Sequence, residues 1–181
     1  PGANRKAANI VIDEDEHPRA DTTLEKLSSL RALFKEGVVT AGNASGINDG
    51  AVALLLGSKD LGEKLGMKPR AQVLAGAIAG VDPRVMGLGP VPASQKALQR
   101  AGISLKDLDV IEVNEAFATQ VLGCLKQLSI SFDDARVNPN GGAIAIGHPL
   151  GASGARLVLT AMRQLERTNG RYALVTMCIG L

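Results

Sequence analysis

Asp109-Val-Ile-Glu-Val-Asn-Glu-Ala-Phe-Ala-Thr-Gln-Val-Leu-Gly-Cys-Leu-Lys-Gln-Leu128 changes its hydrophobic period part-way along. Asp109 to Val113 is short and rich in β-branched residues and reads as a strand. Ala116 to Leu128 instead places Val121, Cys124, Leu125 and Leu128 on one helical face. A strand feeding a helix is the unit of a layered α/β domain, and the chain repeats it on both sides.

Downstream, Gly151 to Arg167 has the spacing of a long helix and Arg171 to Met177 that of a closing strand. Upstream, Ala51 to Leu56 is a continuous apolar run suited to a buried strand, Lys59 to Leu65 a short helix, and Ala71 to Gly80 a second strand. Ala93 to Ala101 reads as a helix with Pro92 near its first turn and Gly102 at its end, and Ser104 to Asp107 as a capped turn. The first twenty residues are polar apart from a strand-like run at Asn9 to Ile12. Thr23 to Phe34 then carries Leu24, Leu27, Leu30 and Leu33 at helical spacing, so the opening reads as an excursion from the core.

At 181 residues, 45% of them hydrophobic, the chain suffices for one domain, or one domain with a piece of another. Basic residues exceed acidic ones by only two, without a long basic run, and aromatics are 2%, which leaves neither an electrostatic nor a stacking basis for a nucleic-acid partner. No apolar run reaches the roughly 18 residues of a membrane span. Cys124 and Cys178 lie far apart and read as reduced thiols of an intracellular compartment. No signal peptide is read, and the start on Pro1 without a methionine suggests an excised or recombinant segment. Its 21 glycines exceed the 13 or so of average usage and gather at Gly42 to Gly50, Gly87 to Gly89 and Gly141 to Gly154, between apolar runs.

The last of these clusters carries chemistry. Asn138 to Gly154, NPNGGAIAIGHPLGASG, sets His148 in a glycine-rich turn leading into a helix, at the edge of a crevice. Asn114 directly follows a strand and Cys178 closes the last one, so all three could meet at one end of a sheet. Singly, each has a plainer reading: Asn114 as a helix cap, His148 as a satisfied turn residue, Cys178 as a small buried hydrophobe. Together, a thiol, an imidazole and an amide suit nucleophilic acyl transfer, or proton removal beside a thioester carbonyl with the enolate oxygen stabilised. Cysteine-hydrolase chemistry has the same residue types but lacks a helix N-terminus at Cys178 to lower its pKa. A zinc site lacks paired short spacings among His17, Cys124, His148 and Cys178, and no metal is expected.

Asn114-Glu-Ala-Phe-Ala, Gly141-Gly-Ala-Ile-Ala-Ile-Gly-His148-Pro and Cys178-Ile-Gly180 resemble the three carboxy-terminal signature blocks of thiolases. Thr22 to Leu27, Val39 to Gly50 and Gly151 to Arg156 are similar to thiolase segments too, in the family's order. The resemblance implies a thiolase-like layered α/β fold, with residues 1–44 the tail of a coenzyme-A-binding loop domain and 45–181 a carboxy-terminal βαβαβαββ-type domain, incomplete at both ends.

It further implies an acyltransferase that cleaves 3-ketoacyl-CoA with coenzyme A, or condenses two acyl-CoA molecules. Coenzyme A is then a substrate and no cofactor is bound permanently. His148 would donate to the thioester oxygen and activate the nucleophilic cysteine, Asn114 would hold a water in the same oxyanion hole, and Cys178 would be the acid/base. An unperturbed thiol pKa of about 8.5 would leave Cys178 needing little tuning. The backbone N–H of Gly180 would serve a second oxyanion hole, Ser45 the pantetheine arm and Arg19 the nucleotide of coenzyme A. The cysteine that carries the acyl group belongs to an amino-terminal half that nothing here resembles, and Cys124 reads as core. The implied partners are acyl-CoA, that missing half and further copies in a homo-oligomer, with no membrane; the compartment is cytoplasmic or an organellar matrix. A second reading is a catalytically silent CoA-binding or assembly fragment.

Overall fold

The computed structural model describes residues 11–180. At its centre β1 (Val110–Val113) and β2 (Ala173–Thr176) pair in parallel, with Val110 opposite Ala173 and Val113 opposite Thr176. All four β1 residues are buried, and alternation sends them to two faces. Ile111 and Val113 join Leu98, Val121, Cys124 and Leu125 in an apolar cluster beneath α3 (Pro90–Ala101) and α4 (Ala118–Gln127). Each large aliphatic side chain buried there stabilises the fold by about 1.5–3 kcal/mol. Val110 and Glu112 point the other way, towards α6 (Leu150–Thr168), which packs on both strands and buries Ser153, Leu157 and Ala161. Helix, sheet and helix thus form the expected α/β layers.

Most element expectations hold within three residues. α3 starts at Pro90, whose missing N–H costs nothing in a first turn, and stops at Gly102. Ser104 and Asp107 form a capping box on a short 3-10 turn, Leu105–Asp107. α2 (Lys59–Lys64) is capped by the Ser58 side chain. The helix expected over Thr23 to Phe34 shrinks to α1 (Leu24–Ser28), with no buried residue to extend it. A one-turn helix, α5 (Ala143–Ile146), lies unforeseen within the glycine-rich turn.

The strands expected at Ala51 to Leu56 and Ala71 to Gly80 are not formed, so the ladder of described residues has two strands rather than the larger set of the expected βαβαβαββ pattern. Leu55 is 83% exposed and Ile78 87%. An apolar run becomes a buried strand only where neighbours take up its N–H and C=O groups, and neither run has a partner strand among the described residues. Of the run at Asn9 to Ile12, residues 9 and 10 lie outside the described residues, and Val11 and Ile12 are not in a strand.

Candidate active site

β1 and β2 run parallel, so their carboxy-terminal ends share one edge, and the Asn114 N–H donates to Thr176 O at 2.9 Å just beyond the last pair. Cys178 follows on that edge two residues past β2. Asn114 is 1% exposed and is not a helix cap, because α4 begins four residues later with Phe117 as its N-cap. The stretch between stays extended because Asn43 to Ser45 is stitched along it. Ser45 N–H donates to Ala116 O at 3.0 Å, Ala118 N–H donates to Asn43 O at 2.8 Å, and Ala44 bridges Phe117.

His148 arrives from the turn between α5 and α6. Gly147 there has φ of +87°, which L side chains rarely adopt, and a Cβ on it would lie 2.6 Å from Asn48 Oδ1. The His148 N–H donates to that same Oδ1 at 2.9 Å, and Arg156 Nη1 donates to Gly147 O at 2.8 Å. The result brings His148 Nε2 to 3.4 Å from Asn114 Nδ2. On the ring's other side Nδ1 lies 2.6 Å from Ser153 Oγ, which in turn lies 3.0 Å from Pro149 O. A serine hydroxyl has one proton. Donated to the carbonyl, it makes Ser153 the acceptor of Nδ1–H and leaves Nε2 as the basic nitrogen, with Asn114 donating to it.

Burial, reinforced by the Arg156 guanidinium, holds the His148 pKa below its ordinary 6.5 and favours the neutral ring. Burial pushes the Cys178 thiol upward, against the expectation that it would need little tuning; the group therefore enters as a thiol with its proton. Cys124 is fully buried in the core, as expected, and both cysteines are free.

The remaining candidates divide. Ser45 lies in the strip against Ala116, close in sequence to Asn48 and hence tied to the His148 turn. Gly180 is exposed, and a Cβ on it would lie 3.0 Å from Met86 Cε. Arg19 is exposed; its carbonyl accepts from Thr22, and no described hydrogen bond or ion pair of its side chain links it to the site. The sequence reading missed Ser153, Asn48 and Arg156 as partners of this turn. Ser153 had a readable signal, lying one turn beyond a histidine at a helix start. Asn48, a hundred residues away, had none.

The pattern described as "Thiolase, C-terminal domain" matches residues 67–181, and "Thiolase, N-terminal domain" matches residues 2–60. This chain belongs to the thiolase family. It is 59% identical over 179 residues to the 3-oxoadipyl-CoA/3-oxo-5,6-dehydrosuberyl-CoA thiolase of Escherichia coli K12, an alignment covering 98% of this chain and 45% of the relative. Its fold matches human mitochondrial 3-ketoacyl-CoA thiolase in complex with CoA with a TM-score of 0.88 at 49% identity, over 92% of this chain and 42% of that one. The Bacillus anthracis acetyl-CoA acetyltransferase gives a TM-score of 0.90 at 42% identity, over 98% and 45%. The chain thus spans less than half the length of these thiolases, and its α/β layers are a portion of the thiolase fold.

Proposed function

We propose that this chain supplies one half of a thiolase active site: the His148/Asn114 oxyanion hole and the acid/base Cys178, acting on acyl-CoA beside a nucleophilic cysteine from an amino-terminal half. The convergence of Asn114 and His148 at 3.4 Å, from segments 34 residues apart, is the observation that carries this reading. In the thiolytic direction neutral His148 takes the nucleophile's thiol proton on Nε2. The thiolate attacks C3 of the 3-ketoacyl-CoA, the C2–C3 bond breaks, and the acyl group stays on that cysteine. The departing enolate oxygen accepts from His148 Nε2–H and from a water held by Asn114, while C2 takes the Cys178 proton. Incoming coenzyme A returns a proton to the Cys178 thiolate; its sulfur attacks the acyl carbonyl and takes the acyl group, and the nucleophilic cysteine leaves as a thiolate that recovers its proton from His148 Nε2. Condensation is the reverse.

In this reading the Gly180 N–H belongs to a second oxyanion hole, Ser45 faces the pantetheine arm and Arg19 the nucleotide. Residues 1–44 are the tail of a coenzyme-A-binding loop domain and 45–181 hold most of a carboxy-terminal thiolase domain, although the match to the amino-terminal pattern runs on to residue 60 and that to the carboxy-terminal pattern starts at 67. The parent is a homo-oligomer of the cytoplasm or an organellar matrix. Among the described residues no helix is long and apolar enough to cross a membrane.

The test is thiolysis of acetoacetyl-CoA and 3-oxoadipyl-CoA, followed by loss of the enolate absorbance, with the chain alone and mixed with an amino-terminal thiolase half. Activity only in the mixture is expected, falling about 10²–10³-fold in His148→Ala, the usual scale for one oxyanion donor. Activity of the chain alone would overturn the assignment of the nucleophile. Inactivity of a correctly assembled mixture would leave the silent CoA-binding or assembly fragment.

A further inference from the structure

The second histidine lies far from the site in sequence but is wired to it. His17 Nε2 is 3.0 Å from Ile144 O, in α5, and a carbonyl can only accept, so Nε2 carries the proton. In the neutral ring Nδ1 is then an acceptor, and it lies 3.2 Å from Asn48 Nδ2, which donates to it. That orientation turns Asn48 Oδ1 towards the His148 N–H, which can only donate and lies 2.9 Å away. Both ends of the chain of bonds finish on backbone groups of fixed polarity, so one tautomer and one amide orientation satisfy all three. Two glycines make room for it. A Cβ on Gly46 would lie 2.6 Å from His17 Cε1 and 2.9 Å from Asn48 Oδ1, and one on Gly147 would lie 2.6 Å from Asn48 Oδ1.

We propose that His17 and Asn48 are positioning residues for His148, a hydrogen-bonded brace that clamps the α5 end of its turn and its backbone N–H so that the imidazole meets Asn114. The brace reaches from the opening excursion through the 43–50 strip to the glycine-rich turn, and adds side-chain bonds to the backbone bridge, Ile47 to His148, that joins the last two. Released, the turn would keep the Ile47–His148 backbone bridge, the Ile144 N–H bond to the Glu115 carboxylate and the Arg156 bond to Gly147 O, so the brace sets the fine placement of the His148 N–H on top of these. The consequence for turnover rests on the reading of His148 as catalytic; the brace itself does not.

Three variants of the chain separate these claims by amide exchange and ¹⁵N-histidine NMR, in a protein whose only two histidines are His17 and His148. His17→Phe keeps a ring without donor or acceptor; His17→Gln keeps one of each; Asn48→Ala removes the link. The brace predicts a neutral, Nε2-protonated His17 in the unsubstituted chain. It predicts exchange of the His148 amide faster by about tenfold or more in His17→Phe and Asn48→Ala, with the Ile111 and Val113 amides unmoved, and recovery to within about threefold in His17→Gln. An Nδ1-protonated His17, or unchanged His148 exchange with β1 intact, overturns it. Should a variant fail to fold, as fast exchange in β1 would show, the His17 tautomer in the unsubstituted chain decides alone. In the mixed assembly kcat should fall about tenfold for His17→Phe, with KM within about twofold and rescue by His17→Gln. Unchanged kcat beside a confirmed brace overturns the positioning role. Inactivity of the unsubstituted mixture overturns the thiolase reading and leaves the brace to the NMR result.

Discussion

A neutral His148 is worth most at a pH where a free imidazole is partly charged, and its surroundings provide that. Burial and Arg156 lower its pKa, so the acid limb of kcat/KM in the mixed assembly should fall below the ordinary 6.5, activity dropping as pH falls and Nε2 fills. Arg156→Gln removes the second of these causes and should move the limb upward; an unmoved or lowered limb would contradict the charge argument. Ser153 matters for the tautomer. In Ser153→Ala the Nδ1–H loses its acceptor in a fully buried place, where an unpaired donor costs about 1–3 kcal/mol, and we expect a rate loss of about tenfold or more with a shift towards Nε2–H visible by ¹⁵N NMR. His148 and Asn114 were legible as residues because their motifs are local. Their partners were not, since Asn48 reaches His148 across a hundred residues and depends on how the backbone folds.

Glu112 gives β1 a pH dependence of its own. It is 1% exposed in the middle of the strand, and burial raises its pKa from 4.5 to about 7, partly opposed by Arg156. A raised carboxyl contributes stability that is fully present below the unfolded value of about 4.5 and is lost as pH rises through about 7. The loss is on the order of 3 kcal/mol. Denaturant midpoints at pH 5 and pH 8 should therefore differ, and Glu112→Gln should narrow the gap; a variant with the same pH profile would contradict the assignment. The turn before α6 sets a second test. Gly147→Ala places a Cβ against Asn48 in a conformation L residues avoid, at a cost of about 1–3 kcal/mol, and faster exchange of the His148 amide is the expected readout. Period and punctuation revealed β1, β2, α3, α4 and α6. The two strands that failed, at 51–56 and 71–80, failed because an apolar run specifies burial without naming its partner.

Those unpaired runs shape the behaviour of the whole molecule. Leu55, Leu56, Val73 and Ile78 are exposed, and exposed large apolar side chains in this number favour association. The isolated chain should self-associate or unfold at low denaturant, and an amino-terminal half should suppress both; sedimentation velocity on chain and mixture checks it, and a stable monodisperse monomer would count against the prediction. The amino-acid order alone determined the α/β layering, the thiolase family and the choice of Asn114, His148 and Cys178 as candidate site residues, because each is written in a short stretch whose spacing or motif survives without context. Tertiary structure alone decided the rest: that Asn114 is buried beside His148 instead of capping a helix, that desolvation lowers one pKa and raises others, that His17 and Asn48 brace the turn, and which apolar runs find partners. All of these depend on groups distant in sequence meeting in space, and on the water their meeting excludes.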